Sequence, residues 1–149
     1  DLIISCNRNQ QRYAAFADQL VSDSQDDFPG PLAGILAGLR SARHAQLLVL
    51  PCDAPLIDQK LLQSLLHAAG EQPVVVRQGE QWQPLISLWP TQLLATLEDA
   101  WAIGQRSPLS FLRAAQARTL DCLQDDPRLA NLNTPSLLDQ AARAPHRAT

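Results

Sequence analysis

Polar side chains follow several of the short apolar segments of this chain, and four groups of them could do chemistry. Carboxylate and amide oxygens suit a magnesium ion, which favours oxygen ligands and bridges phosphates. Transfer of a phosphoryl-type group depends on positioned groups and charge neutralisation more than on covalent chemistry from the protein. The pattern therefore makes a phosphate group a candidate ligand. The four groups are Ser5-Cys6-Asn7, Asp23 with its loop, Asp53, and Asn131 with Asn133.

Asp53 is the strongest candidate because of what precedes it. The run Gln46–Pro51 contains four consecutive large apolar residues, which predicts a central strand of a parallel sheet, buried on both faces. In open α/β sheets, ligands bind just beyond the carboxyl ends of strands. Asp53 is therefore a candidate metal ligand or base, although aspartate also commonly caps helices and turns.

The segment from Asp23 to Gly34 combines acidic and turn-forming residues with the start of an apolar helical pattern. Pro31 suits the first turn of a helix, and Gly34 and Gly38 lie on one helix face, where a ligand or a neighbouring backbone could approach closely. A loop that ends at a helix N-terminus presents free N–H groups, which suits an anionic ligand. The alternative is an ordinary surface turn before a core helix.

Composition narrows the class of protein. The chain has 149 residues, 46% of them hydrophobic, and a net charge of -3, which fits one globular domain and gives no basic footprint for nucleic acid. No apolar run is long enough to span a bilayer, and no signal peptide pattern opens the chain. Three widely spaced cysteines predict reduced thiols in a cytoplasmic protein, and three isolated histidines give little support for a histidine-based metal site.

The elements predicted to position these residues alternate between strands and helices. Their order, β-α-β-loop-α-β-α-β-β-α-α-β-α, predicts a three-layer α/β domain whose mostly parallel sheet includes one antiparallel pair, Pro73–Arg77 with Trp82–Leu88. The first predicted helix carries its apolar residues near one face, and a last helix carries Leu137 and Leu138. We expect a single domain over residues 1–143 and a loose tail over 144–149. The residues of that first helix face are Tyr13, Phe16, Ala17 and Leu20.

A right-handed parallel sheet can bring the first three polar groups together at one edge. Three motifs then resemble the molybdenum cofactor guanylyltransferase family, in order and over almost the whole chain. The resemblance implies a nucleotide-diphospho-sugar-transferase-like (Rossmann-like) fold, and transfer of GMP from GTP to molybdopterin with release of pyrophosphate and with Mg²⁺ as cofactor. The motifs are Asp23-Ser with Phe28-Pro-Gly-Pro-Leu-Ala-Gly34, Leu50-Pro-Cys-Asp53-Ala-Pro55, and Asn131-Leu-Asn133-Thr-Pro135.

The resemblance also implies roles for particular residues. Asp53 matches the family's magnesium ligand at the nucleotide phosphates, and Asp23 matches an acidic residue lining the guanosine site. Gly34 would allow ligand and backbone to approach closely. Asn131 and Asn133 match a pair near the metal and molybdopterin.

Two positions depart from the family pattern. Ser5 occupies a position where the family often has an asparagine, and Asn7, two residues on, is a candidate to take over that role. Gln83-Pro84 stands where a His-Pro is common.

The family also begins with a strand, an L-A-G-G loop and a lysine, which cradle the triphosphate. These 149 residues contain no such segment. We therefore expect little activity from the chain as written and an exposed sheet edge that could associate with another chain.

Two further hypotheses stay open at this stage. A cytidylyl counterpart or a sugar-nucleotide transferase of the same fold would share the P-x-D-x-P element. A truncated, non-catalytic binding module would instead hold molybdopterin or dock other molybdenum cofactor biosynthesis proteins.

Overall fold

Short strands and helices alternate along the chain, and the computed structural model describes residues 1–22 and 30–130. Within these ranges there are six strands and five α-helices, with single 3₁₀ turns at Ala14–Phe16, Thr91–Leu93 and Pro127–Leu129. No helix in the described part has the length and apolar character needed to cross a membrane. The strands are β1 Ile3–Ser5, β2 Gln19–Val21, β3 Gln46–Val49, β4 Val74–Gln78, β5 Gln81–Pro90 and β6 Arg118–Cys122. The helices are α1 Gln10–Tyr13, α2 Pro31–Ser41, α3 Gln59–His67, α4 Leu94–Ala102 and α5 Pro108–Ala114.

The strands form two sheets. Four of them pair in the order β3-β5-β4-β6, and β1 pairs with β2 in parallel. In the larger sheet β5 is antiparallel to both β3 and β4, whereas β4 and β6 are parallel. Strands β3, β4 and β6 therefore run in one direction, and β5 alone runs against them. The predicted mixed sheet and the antiparallel pairing of β4 with β5 are confirmed, whereas the second antiparallel pairing, of β5 with β3, was not predicted.

Alternation of side chains along the strands builds the three layers, because successive residues of a strand point to opposite faces. On one face, Val75 and Trp89 pack with apolar residues of α2, α4 and α5. On the other face, Val74, Val76 and Leu88 pack with Leu61 and Leu65 of α3 and with Leu129. Two cores of this kind make the predicted three-layer α/β arrangement, which is also confirmed.

The β4–β5 pair contains an irregularity at Pro84, as the proline within the predicted strand suggested. The register shifts between Val75, opposite Ser87, and Val76, opposite Gln83. Ser87 is fully buried; its hydroxyl donates to the Pro84 carbonyl at 2.7 Å and accepts from Trp89 Nε1 at 2.8 Å. These two bonds stabilise the bulge that lets a strand tolerate the proline.

The first predicted helix is wrong in its extent and in its buried face. The chain makes only the four-residue α1 and then one 3₁₀ turn, and Leu20 belongs to β2. Tyr13 is 43% exposed and Phe16 is 70% exposed, so these side chains do not join either core. The apolar spacing resembled a helix face, but no other element of the described chain covers that side.

The position predicted for Gln46–Pro51 is also wrong. Strand β3 lies at one edge of the four-stranded sheet, its single strand partner within the described residues is the antiparallel β5, and its four residues are only half-buried. A continuous apolar run cannot distinguish a central strand from an edge strand whose two faces are both covered. The predicted helix with Leu137 and Leu138 lies outside the described residues, and the division at residue 143 stays a prediction.

Candidate functional site at the carboxyl edge of the sheet

Helix α2 establishes which ends of the strands meet, because it contacts β1, β2 and β3. Its first turns lie at the end of β1, where Gly34 faces Ser5, and its later turn lies at the start of β3, where Gly38 faces Leu47. At its last residue, the Ser41 carbonyl accepts a hydrogen bond from Gln19, the first residue of β2. The helix therefore runs antiparallel to all three strands. Their carboxyl ends and the N-terminus of α2 share one edge of the molecule.

The chain enters α2 through Gly30, which has φ 88°, a value that favours glycine, and Pro31 occupies the first turn. The N-cap residue makes no side-chain hydrogen bond to the helix. Donors at a helix start that the helix itself does not use can bind an anion. The predicted start of the helix at Pro31 is confirmed.

Ser5 and Gly34, two predicted site residues, are in direct contact. A Cβ added to Gly34 would lie 2.9 Å from Ser5 Oγ and 3.5 Å from Ser5 Cβ. The lack of a side chain at Gly34 thus makes room for the exposed end of β1. This revises the expectation from the sequence, because the group that approaches Gly34 in the structure is the Ser5 side chain. Asn7 is exposed two residues farther on.

Asp53 follows β3 in a turn and is half-buried. No hydrogen bond or ion pair joins its carboxylate to the residues that the structure describes. The next residue, Ala54, is buried, and its carbonyl accepts from the Ile57 amide at 3.4 Å. Asp58 caps α3, with Oδ1 accepting from the Leu61 amide at 2.8 Å. The helix-cap role, which was the alternative for Asp53, is therefore filled by Asp58. The Asp53 carboxylate remains available for another role.

The donor set at Asp53 fits a magnesium ion that a nucleotide brings with it. Across residues 1–22 and 30–130, no three His, Cys, Asp or Glu side chains are grouped so that they could hold a metal. Mg²⁺ is commonly bound by one or two carboxylates together with substrate phosphates and water. A lone carboxylate at this edge meets that requirement, whereas it does not suit a metal held by protein alone.

Three of the predicted site residues, Asp23, Asn131 and Asn133, lie outside the described residues. The structure brings Ser5 and Gly34 into contact and places Asp53 at the same edge. Gln83, at the start of β5, donates from Nε2 to Gln78 Oε1 at 3.0 Å. Cys52 is exposed, and Cys6 and Cys122 are half-buried free thiols.

A charged cluster beside this edge was not predicted. The Arg128 guanidinium donates to both oxygens of Asp126, at 2.9 and 2.6 Å, and its Nη1 lies 3.5 Å from Asp58 Oδ1. The bonds from Arg128 hold the pKa of Asp126 below its usual range, although partial burial opposes this shift. Burial, with the negative charge of Asp126 second, raises the pKa of the Cys122 thiol. The sequence signal that could have indicated this cluster is Asp126-Pro127-Arg128, which follows β6.

Comparison with known proteins identifies the family of the chain. Residues 1–120 match the family model described as the MobA-like NTP transferase domain. The molybdenum cofactor guanylyltransferase of Ectopseudomonas mendocina is 58% identical over 142 residues, which cover 95% of this chain and 71% of that protein. The protein of the same name from Pseudomonas aeruginosa LESB58 is 60% identical over 141 residues, 93% of this chain and 71% of that one.

Two solved structures share the fold. A protein of Aquifex aeolicus, Aq1419, superposes with a TM-score of 0.76 at 20% identity, over 89% of this chain and 70% of that one. Molybdopterin-guanine dinucleotide biosynthesis protein A of Archaeoglobus fulgidus gives a TM-score of 0.67 at 21% identity, over 93% and 75%. The resemblance drawn from the three motifs is confirmed. The chain belongs to the family of MobA-like NTP transferases.

Proposed function

We propose that this protein transfers GMP from GTP to molybdopterin, forming molybdopterin guanine dinucleotide and pyrophosphate. The observation that carries this function is the Asp53 carboxylate, unpaired within the described chain, at the sheet edge where α2 begins. The relatives at 58% and 60% identity are named molybdenum cofactor guanylyltransferases, which supports GTP and molybdopterin as the substrates. A cytoplasmic location stays a prediction.

In the proposed reaction, an oxygen of the molybdopterin phosphate attacks the α-phosphorus of GTP. A new P–O bond forms as the bond from the α-phosphorus to the bridging oxygen breaks, and its electron pair leaves on pyrophosphate. When bound, Mg²⁺ neutralises charge on the phosphates. Asp53 would hold that ion, and N–H groups in the first turn of α2 after Pro31, which has none, would orient an anionic group.

The remaining roles follow from the family resemblance. We expect Asp23 to contact the guanosine and Asn131 and Asn133 to contact the metal and molybdopterin. Ser5 and Asn7 are the candidates for the nucleotide contact at the end of β1. Gly34 supports that contact, since it leaves space for the Ser5 side chain.

The test is an assay of molybdopterin guanine dinucleotide formation with GTP and, in parallel, with CTP. Transfer with GTP and a strong preference over CTP are expected. We expect Asp23→Ala to reduce that preference, with Asp18→Ala as the matched control, because Asp18 lies at the amino end of β2. Equal use of CTP would favour a cytidylyltransferase, and binding of molybdopterin without transfer of any nucleotide would favour a binding module.

Before this assay, the length of the protein chain that should be assayed is determined. Intact mass of the protein from its native source is compared with the 16.3 kDa of these 149 residues. A larger mass directs the assay to the longer form. A mass of 16.3 kDa directs it to this chain.

A further inference from the structure

The charged cluster formed by Asp58, Asp126 and Arg128 connects two loops that are far apart in the sequence. Arg128 and Asp58 are 70 positions apart, and their side chains approach to 3.5 Å. The contact with Asp126 is bidentate, a geometry that restrains a guanidinium in one orientation. Asp126 is 8% exposed, so its carboxylate is enclosed by the fold rather than displayed to solvent.

One of these loops carries Asp53. It begins after β3, contains the buried Ala54, and ends at Asp58, the N-cap of α3. Asp58 Oδ1 accepts from the Leu61 amide and also faces Arg128. Arg128 is therefore bound to the residue at which the Asp53 loop joins α3.

The other loop follows β6. Asp126 caps the 3₁₀ turn Pro127–Leu129 by accepting from the Arg128 amide at 3.0 Å. Leu129 is buried in the same apolar cluster as Leu61 and Leu65 of α3. Two residues after Leu129 the sequence reaches Asn131. The cluster thus joins the loop of Asp53 to the segment that precedes Asn131.

We infer that Arg128 is a positioning residue, which holds the Asp53 loop and the segment leading to Asn131 in the relative arrangement that GMP transfer requires. The inference rests on the proposed function and extends it to a residue outside the three motifs. Misplacement of a reacting group by about 1 Å can cost about 10²-fold in rate, so a clamp between two loops of a site can affect catalysis without touching substrate. Nucleotide affinity depends less on this arrangement than the transfer step does.

The experiment compares Arg128→Met and Arg128→Lys with the control Arg40→Met. Arg40 also pairs with a carboxylate at 2.8 Å, that of Glu98, but it lies in the last turn of α2, away from the carboxyl edge. We expect kcat for GMP transfer to fall about tenfold in both Arg128 variants while KM for GTP changes less than about twofold. Lysine does not restore kcat, because an ammonium cannot reproduce the bidentate contact. The control keeps both constants.

Amide hydrogen exchange provides a reading that does not depend on activity. In Arg128→Met, exchange should accelerate at Ile57 and Leu61, whose amides bond to Ala54 and Asp58, but not at Val75, which is fully buried in β4. Accelerated exchange at Val75 as well would mean general destabilisation and would overturn the inference. Unchanged kcat, or kcat restored by lysine, would also overturn it. Absence of transfer in the wild type would instead refute the proposed function, while exchange would still decide whether Arg128 clamps the two loops.

Discussion

The amino ends and the carboxyl ends of the strands, which form the amino edge and the carboxyl edge of the molecule, use polar side chains in different ways. At the amino edge, Gln19 Nε2 donates to Asp1 Oδ2 at 2.9 Å and to the Ser41 carbonyl at 3.1 Å. Gln46 Nε2 donates to the Gly70 carbonyl at 3.2 Å, although Gln46 Oε1 is buried without a partner in the described part of the chain. Most of these groups connect the start of a strand to the end of a helix. Apart from Gln46 Oε1, the groups named here find their partners within the protein itself.

At the carboxyl edge, the same chain leaves groups available. Asp53 has no bonding partner among the described residues, and Gly30 leaves the start of α2 without a side-chain cap. Without a ligand, these groups bond to water. A ligand that binds them replaces the hydrogen bonds to water with its own. The comparison indicates that polar residues at the amino edge stabilise the fold, and it leads us to propose that the groups left unpaired at the carboxyl edge bind ligand. Four predictions test this division, from the largest expected effect to the smallest.

Asp53→Ala should separate activity from stability. We expect GMP transfer to fall by about 10²-fold or more, because the phosphates lose a charge-neutralising ligand, as when one transition-state donor is removed. Thermal unfolding should stay within a few degrees of wild type, since the side chain bonds to no described residue. Steady-state kinetics and a melting curve measure the two effects. A large loss of melting temperature with unchanged transfer would reverse the assignment of this residue.

Gly34→Ala should act through Ser5. The new Cβ at 2.9 Å from Ser5 Oγ forces the hydroxyl to turn away. If Ser5 bonds the nucleotide, loss of that one hydrogen bond raises KM for GTP by up to about tenfold. Ser5→Ala and the double variant should then give the same KM as Gly34→Ala. Gly38→Ala is the matched control, because there the added atom meets only the flexible end of Leu47, at 3.1 Å. Additive effects of Ser5→Ala and Gly34→Ala would contradict this mechanism.

Asp18→Ala should show the opposite behaviour, at the amino edge. Asp18 Oδ2 accepts from the Leu2 amide at 2.7 Å, which ties the start of β1 to β2. We expect the free energy of unfolding to decrease by about 1 kcal/mol, the usual net value of a hydrogen bond of this kind. The kinetic constants for GMP transfer should remain within about twofold of wild type. Chemical denaturation and the transfer assay, run on one preparation, test both statements.

The smallest effect concerns acid stability. Arg128 lowers the pKa of Asp126 in the folded state below 3.8, so the folded protein binds this proton less readily than the unfolded chain. The stabilisation is therefore present above about pH 4 and is lost as the pH falls below that value. Asp126→Asn should be less stable than wild type at neutral pH, and the difference in unfolding free energy should shrink in acid. A difference independent of pH from about 5 to 2 would mean that the ion pair does not contribute.

Local patterns predicted much of the fold. Pro31 was predicted to start a helix, and α2 begins at that residue. Asp58 and Ser107 are helix caps in the structure, and α3 and α5 begin directly after them. Proline and the capping residues act through bonds to the next few residues, so short stretches of sequence are sufficient to identify them. The same is true of the β4–β5 hairpin, whose turn lies between two apolar runs.

Contacts between distant segments could not be predicted in this way. Phe16 is 70% exposed despite its helical spacing, because burial depends on which element lies opposite. Arg128 reaches Asp58 across 70 positions, and no local pattern encodes that approach. The edge position of β3 likewise depends on the return of β5, which pairs with β3 rather than with β4 alone.

The amino-acid sequence by itself determined the class of the fold, the order of its elements and the family, because hydrophobic periodicity, capping residues and the three motifs are local properties of the chain. The tertiary structure decided which polar groups are paired and which are left for a ligand. It placed Ser5 against Gly34, left Asp53 without a partner in the described chain, and joined two loops through Arg128. The physical reason is that pairing depends on distances in space, which arise only when the helices pack on the sheet.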